Sequence, residues 1–272
     1  MTPHKARACI LRVGGTNCDA ETKRACHKSG IEAEIVHSRE LAKSQALLSY
    51  DFLIIPGGFS YGDYVRAGAI WAKELRAKLG KDLEKFVEDE RPILGICNGF
   101  QVLIEAGLLP QIEGISVYPQ AALGTNMPPG YNCRWIHLSH VGKGNCVFTK
   151  NVDANSVLKI PVAHSEGRFM FARRNEDKYI KKLLDEDQLV FRYCRRDGQY
   201  ADGEYPFNPN GSFFDIAGIC NSYGTVFGLM PHPERAYHRW QLPDWTETGL
   251  EPSYGDGKLI FDSVADYLEK RF

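Results

Sequence analysis

Cys97, His232 and Glu234 are the residues whose types and spacing could do chemistry together. Cys97 stands in Gly95-Ile96-Cys97-Asn98-Gly99. This is the G-x-nucleophile-x-G form, in which small flanking residues let a tight strand-to-helix turn hold its middle residue exposed at a sheet edge. A helix that begins at the sulfur brings its positive end there, which suits a reactive cysteine. One more buried cysteine, or a dinucleotide-binding turn, would also accommodate these residues. The full G-x-G-x-x-G is absent, however, and residue 102 is Val.

His232-Pro233-Glu234 is the second stretch. The proline after His232 biases it toward extended backbone, where residues two apart share a side. A carboxylate at 234 could then hold the imidazole tautomer that a base requires. Gly57-Gly58 is the third stretch. A glycine pair at the carboxyl end of a parallel strand offers bare backbone N–H groups on the rim where α/β folds place ligands, and such groups could hold an oxyanion. A loop that needs glycine for turn geometry explains the pair as well.

These residues need elements to position them. Pro92 to Ile96 reads as a buried strand, and Phe100 to Ala106 as a helix closed by Gly107. Upstream, Ala8 to Val13 is a strand, Asp19 to Ser29 a helix ending at Gly30, and Ile31 to His37 a strand. That is β-α-β spacing and predicts a parallel sheet with helices on its faces. Gly14-Gly15-Thr16-Asn17 between them suits either a phosphate at a helix start or a simple turn. Phe52 to Pro56 is apolar throughout, as a central parallel strand should be. A long charged helix then runs from about Ile70 to about Glu90.

From Ile115 to about Tyr223 the helical period is lost, and short strand candidates such as Cys133–Leu138 and Val190–Cys194 alternate with Gly, Pro and Asn. In this stretch His164, Glu166 and Arg168 suit a site or a solvated hairpin equally. Thr225 to Met230 is a late strand leading to His232, and Gly257 to Phe272 is an amphipathic helix. The fold class is therefore α/β, a doubly wound, mostly parallel sheet flanked by helices, with an additional β-rich portion in the second half.

Composition narrows the function. With 272 residues, 43% of them hydrophobic, the chain can build one large α/β core, and one domain over 1–272 is expected. A net charge of -1 and a pI near 6.7 give no electrostatic reason to expect nucleic acid or a membrane surface as partner. No apolar run or leader pattern suggests a membrane or secretory route, so a cytoplasmic protein is expected. The eight cysteines are never closer than eight positions apart, which excludes C-x-x-C zinc or redox pairs; free thiols and no metal site are expected.

Taken together, GICNGFQ, the Gly-Gly loop and the late HPE resemble the class I (triad) glutamine amidotransferases over nearly the whole chain. Two further segments, FSYGDYVRAGAIWA at 59–72 and YPFNPNGS at 205–212, resemble within that class the glutaminase subunits of phosphoribosylformylglycinamidine synthases of purine biosynthesis. The resemblance implies Cys97 as nucleophile, His232 as general base and acid, and Glu234 as the residue orienting it. It further implies an oxyanion hole from the backbone N–H groups of Gly58 and Asn98, with Gln101 helping to hold the substrate glutamine. It implies a synthetase subunit and a small accessory subunit as partners. No cofactor is expected in this chain: a Walker A pattern is lacking, so ATP and Mg are expected on the synthetase. The competing readings are a free-standing cysteine hydrolase or chaperone-like protein, a regulatory or scaffolding subunit without catalysis, and an amidotransferase serving another synthetase.

Overall fold

The computed structural model describes residues 5–247 and 254–271. His4, Phe272 and part of the 242–257 tail lie outside them. The first half runs β1 (Arg7–Arg12), α1 (Asp19–Lys28), β2 (Glu32–His37), α2 (Ser38–Ser44), β3 (Phe52–Ile55), α3 (Ala69–Glu88), β4 (Ile93–Ile96) and α4 (Asn98–Glu105). The second half runs β5 (Ala122–Thr125), β6 (Asn132–His140), β7 (Val157–His164), β8 (Glu166–Met170), α5 (Glu176–Asp185), β9 (Leu189–Cys194), β10 (Ile216–Cys220), β11 (Val226–Leu229) and α6 (Lys258–Arg271).

Nine strands form one sheet in the order β2-β1-β3-β4-β11-β10-β9-β6-β7, and β5 pairs with β8 separately. The pairs from β2 across to β11 are parallel, and those from β11 across to β7 are antiparallel. Only β10 and β6 therefore run against the rest. This confirms an α/β fold with a mostly parallel sheet flanked by helices. The β-rich second half mainly extends that sheet.

The strand directions place the site. β1, β3, β4, β11 and β7 all point the same way, so the residues that follow them gather on one rim. That rim carries residues 13–18 after β1, Gly57 and Gly58 after β3, Cys97 after β4, His232 after β11 and His164 at the end of β7. In open α/β sheets, ligands bind at the carboxyl ends of the strands.

The core anchors the strands that carry this rim. β3, β4 and β11 are buried along their whole length, as continuous apolar runs covered on both faces must be. One face of α3 buries Trp71, Leu75, Leu79, Leu83 and Phe86, matching the 3.6-residue period. Every residue of α4 is buried. Truncating Leu103 there to Ala should cost about 2–5 kcal/mol.

Two helices depart from the sequence reading. α5 lies inside the stretch expected to lack helical period; Tyr179 and Leu183 are its buried residues, four apart. α2 is only seven residues long and begins where His37 ends β2, with the His37 Nδ1 accepting from the Arg39 N–H at 3.2 Å. Among the described residues no helix is long and apolar enough to cross a membrane.

Candidate active site

Cys97 sits alone between the last residue of β4 and the first of α4, with φ 51° and ψ −105°. Such a conformation costs on the order of 1–3 kcal/mol in a residue with a side chain. It is held by the Cys97 N–H donating to Leu229 O at 2.8 Å and by the Gln101 N–H donating to Cys97 O at 3.1 Å. The flanking glycines are required for space. A Cβ on Gly99 would lie 1.8 Å from Ile55 O, and one on Gly95 would lie 2.7 Å from Gly99 O. The strand-to-helix turn is thus as expected, but the exposure is not. Cys97 is only 4% exposed, with its Sγ 3.7 Å from Ala163 O. The end of β7 roofs it, a long-range contact that local sequence does not reveal.

His232 and Glu234 are both buried, and His232 Nδ1 lies 2.6 Å from Glu234 Oε1. The reason differs from the expected extended geometry. Pro233, Glu234 and Arg235 form a 3-10 turn, with φ −107° and ψ 88° at His232 just before it. The His232 N–H donates to Pro161 O at 2.8 Å. Donation from Nδ1–H to Glu234 leaves Nε2 as the reactive nitrogen, and among the described residues Nε2 has no hydrogen-bond partner. Burial opposes charge on this ring, but the Glu234 carboxylate, followed by Cys97, outweighs it and holds the imidazole pKa well above its usual value. Cys97 lies near enough to the ring for its charge to raise the imidazole pKa further. The three residues expected to act together are therefore brought together.

Among the described residues, two backbone N–H groups near the elbow lie outside the regular hydrogen-bond ladders. Thr16 and Gly58 form an antiparallel bridge closed by the Asn17 N–H to Gly57 O and the Phe59 N–H to Gly15 O. This is a non-hydrogen-bonded pair, so the Gly58 N–H is left outside the ladder. Asn98 opens α4, and first-turn N–H groups have no partner within the helix. Gly58, Cys97 and Gln101 line one cavity with Asp63, Ala67 and residues 163–166. A larger cavity of about 400 Å³ lies beside the amino end of β11, near Val87, Gln111 and Tyr223. It contains none of the candidate site residues, so the smaller cavity is the candidate site.

Gln101 is oriented from both ends. Its Oε1 accepts from Asn98 Nδ2 at 2.9 Å, and its Nε2 donates to Glu166 O. Asn98 is locked in turn by the Ser60 N–H, 3.3 Å from its Oδ1. The structure also settles the stretch from His164 to Arg168. His164 and Glu166 line the cavity, whereas Arg168 reaches Met127, its Nη1 3.6 Å from Sδ.

Several residues at the site were not singled out by sequence. Cys18 Sγ lies 4.0 Å from His232 Nδ1, and burial pushes its thiol up to about 11. Arg235 donates to Cys18 Sγ at 3.1 Å and to Glu21 Oε1 at 2.8 Å, bracing the turn that carries Glu234. Ligand atoms of Cys18, His232 and Glu234 lie within 4.8 Å of one another, but the guanidinium on the sulfur opposes a cation there. Asp63 also reaches the cavity. The position of Cys18 just beyond β1, on the rim where α/β folds place ligands, was the available signal.

A family model described as the CobB/CobQ-like glutamine amidotransferase domain matches residues 5–268. The phosphoribosylformylglycinamidine synthase subunit PurQ of Archaeoglobus fulgidus is 45% identical, over 99% of this chain and 100% of its own length. That of Methanothrix thermoacetophila is 40% identical, over 97% and 99%. Among solved structures, PurLQS from Thermotoga maritima matches with a TM-score of 0.72 and 33% identity, covering 97% of this chain and 100% of the matched chain.

Proposed function

This chain belongs to the CobB/CobQ-like glutamine amidotransferase family and, within it, to the PurQ subunits of phosphoribosylformylglycinamidine synthase; from that premise we propose how its residues act. It is the glutaminase subunit of that synthase and works in complex with a synthetase subunit. Glutamine is the proposed substrate. Cys97 attacks the side-chain amide carbon, and its proton passes to His232 Nε2. The oxyanion receives the N–H groups of Gly58 and Asn98, and removing one such donor typically costs about a hundredfold or more. The imidazolium, kept charged by Glu234, protonates the departing nitrogen, which leaves as ammonia. A glutamyl thioester remains on Cys97. Water, giving a proton to His232, then attacks it to release glutamate.

The ammonia passes to the synthetase subunit, where ATP with Mg activates formylglycinamide ribonucleotide and formylglycinamidine ribonucleotide is made. A small accessory subunit completes the complex. The observation that best supports this reading is the shared rim: a cysteine on a strand-to-helix elbow, an imidazole with a buried carboxylate on Nδ1, and two backbone N–H groups outside the regular hydrogen-bond ladders. The test is glutamate release from glutamine by this chain alone and with synthetase subunits, ATP and formylglycinamide ribonucleotide. Release that rises with the partner and disappears in Cys97→Ala is expected, with free ammonia still supporting synthesis in the mutant. Equal glutamate release by Cys97→Ala would overturn the assignment of the nucleophile.

A further inference from the structure

The cavity beside Cys97 is lined by two carboxylates and an imidazole, those of Asp63, Glu166 and His164. The two carboxylates are close enough that burial, and then the charge of Glu166, raise the Asp63 pKa to about 6. Among the described residues neither forms an ion pair. One oxygen of each is occupied: Asp63 Oδ1 lies 3.5 Å from Asn98 Nδ2, and Glu166 Oε2 accepts from the Ala67 N–H at 3.0 Å. Among the described residues no hydrogen bond engages the second oxygen of either.

His164, which lines the same cavity, is an independent sign of a missing donor. It is 3% exposed, and among the described residues its Nε2 has no hydrogen-bond partner. Its tautomer follows from Asn126, whose Nδ2 donates to Gly130 O and His164 O, while its Oδ1 accepts from the Gly167 N–H and His164 Nδ1. Nδ1 therefore carries the proton and Nε2 a bare lone pair. Burial, and then the charge of His232, bring the ring's pKa down to about 3, so it stays a neutral acceptor. A buried acceptor without a partner is costly unless a ligand supplies the donor.

A ligand that fits must bring several N–H donors and positive charge. We propose that Asp63 and Glu166 bind the α-ammonium group of the substrate whose side-chain amide meets Cys97, which makes them the residues that select a free amino acid. This rests on the reading of the site as a glutaminase. It extends that reading to how glutamine is told apart from other primary amides. A site built to bond a group rejects an analogue lacking it, because its own buried polar atoms are then left unpaired.

The experiment measures initial ammonia release, with the synthetase subunits present, from glutamine and from 4-carbamoylbutanoate, which is glutamine without the amino group. Wild type should prefer glutamine strongly. Asp63→Asn and Glu166→Gln, each nearly isosteric and checked by thermal melting, should raise KM for glutamine roughly 10- to 100-fold with kcat changed less than about threefold. Turnover of 4-carbamoylbutanoate should change little, so the preference collapses. Equal loss on both substrates, or a preference left intact, overturns the proposal while the glutaminase reading stands. Wild type that treats the two substrates alike overturns it without any variant. Wild type that releases ammonia from neither would overturn the glutaminase reading and this proposal together.

Discussion

Glu234 Oε1 lies 2.6 Å from His232 Nδ1 with both side chains buried, and this pair gives the imidazole its direction and its charge. Nδ1–H is committed to the carboxylate, so only Nε2 can take a proton from the neighbouring thiol. Glu234 also offsets the burial that would otherwise keep the ring neutral.

Replacing the carboxylate by its amide, Glu234→Gln, keeps the shape and removes the charge. Glutamine-dependent kcat should fall by about 10²- to 10⁴-fold, as when a triad loses its orienting carboxylate, while synthesis from free ammonia by the complex is unchanged. A second readout follows from linkage. A folded-state pKa raised above the unfolded value adds stability that is fully present below about pH 6.5 and lost as pH rises through the folded value. The wild-type advantage in melting temperature over Glu234→Gln should therefore be greatest below about pH 6.5. A constant difference across the pH range would count against the charged pair.

His164 should act in the opposite sense. Its folded pKa is depressed to about 3, so between there and the unfolded value the unfolded chain binds the extra proton. Stability should fall as pH drops from about 6.5 toward 3, by on the order of 2 kcal/mol between pH 6.5 and 4.5 from this residue. Urea unfolding of wild type and His164→Gln at those two pH values checks this. The variant should show the smaller pH dependence.

Two glycines separate catalytic crowding from helix propensity. A Cβ at Gly57 would lie 2.7 Å from His232 Cε1 and 3.0 Å from Cys18 Sγ, whereas one at Gly80, on α3, would meet nothing within 4 Å. Gly57→Ala should displace the imidazole, lowering kcat by roughly 10- to 100-fold, the scale of a misplaced catalytic group. Gly80→Ala should leave kcat alone and stabilise the fold by about 0.5–1 kcal/mol. Paired turnover and melting measurements test both. A normal kcat in Gly57→Ala would show that the ring has room to move.

Val65 is 90% exposed, with φ 75°. A β-branched residue there is strained, and its exposed side chain recovers little by packing. Val65→Gly should raise stability by about 1 kcal/mol in urea unfolding of the isolated chain. A loss of stability would mean that the side chain packs more usefully than its exposure suggests.

The sequence by itself determined whatever depends on short stretches of chain. The elbow at Cys97 was legible because Gly95 and Gly99 bracket it and an apolar run precedes it; the early β-α-β alternation was legible for the same local reason. His232 and Glu234 were readable as a pair, though the 3-10 turn that joins them replaced the extended geometry expected. The resemblance to triad amidotransferases supplied the remaining roles. Only the tertiary structure decided that β7 runs with β4 and β11, so that Ala163 covers the cysteine and His164 and Glu166 reach its cavity. It likewise brought Cys18 beside His232, 214 positions away, and Asp63 beside Glu166. The physical reason is that side-chain period specifies which face a strand buries, but not which distant strand will lie beside it or in which direction.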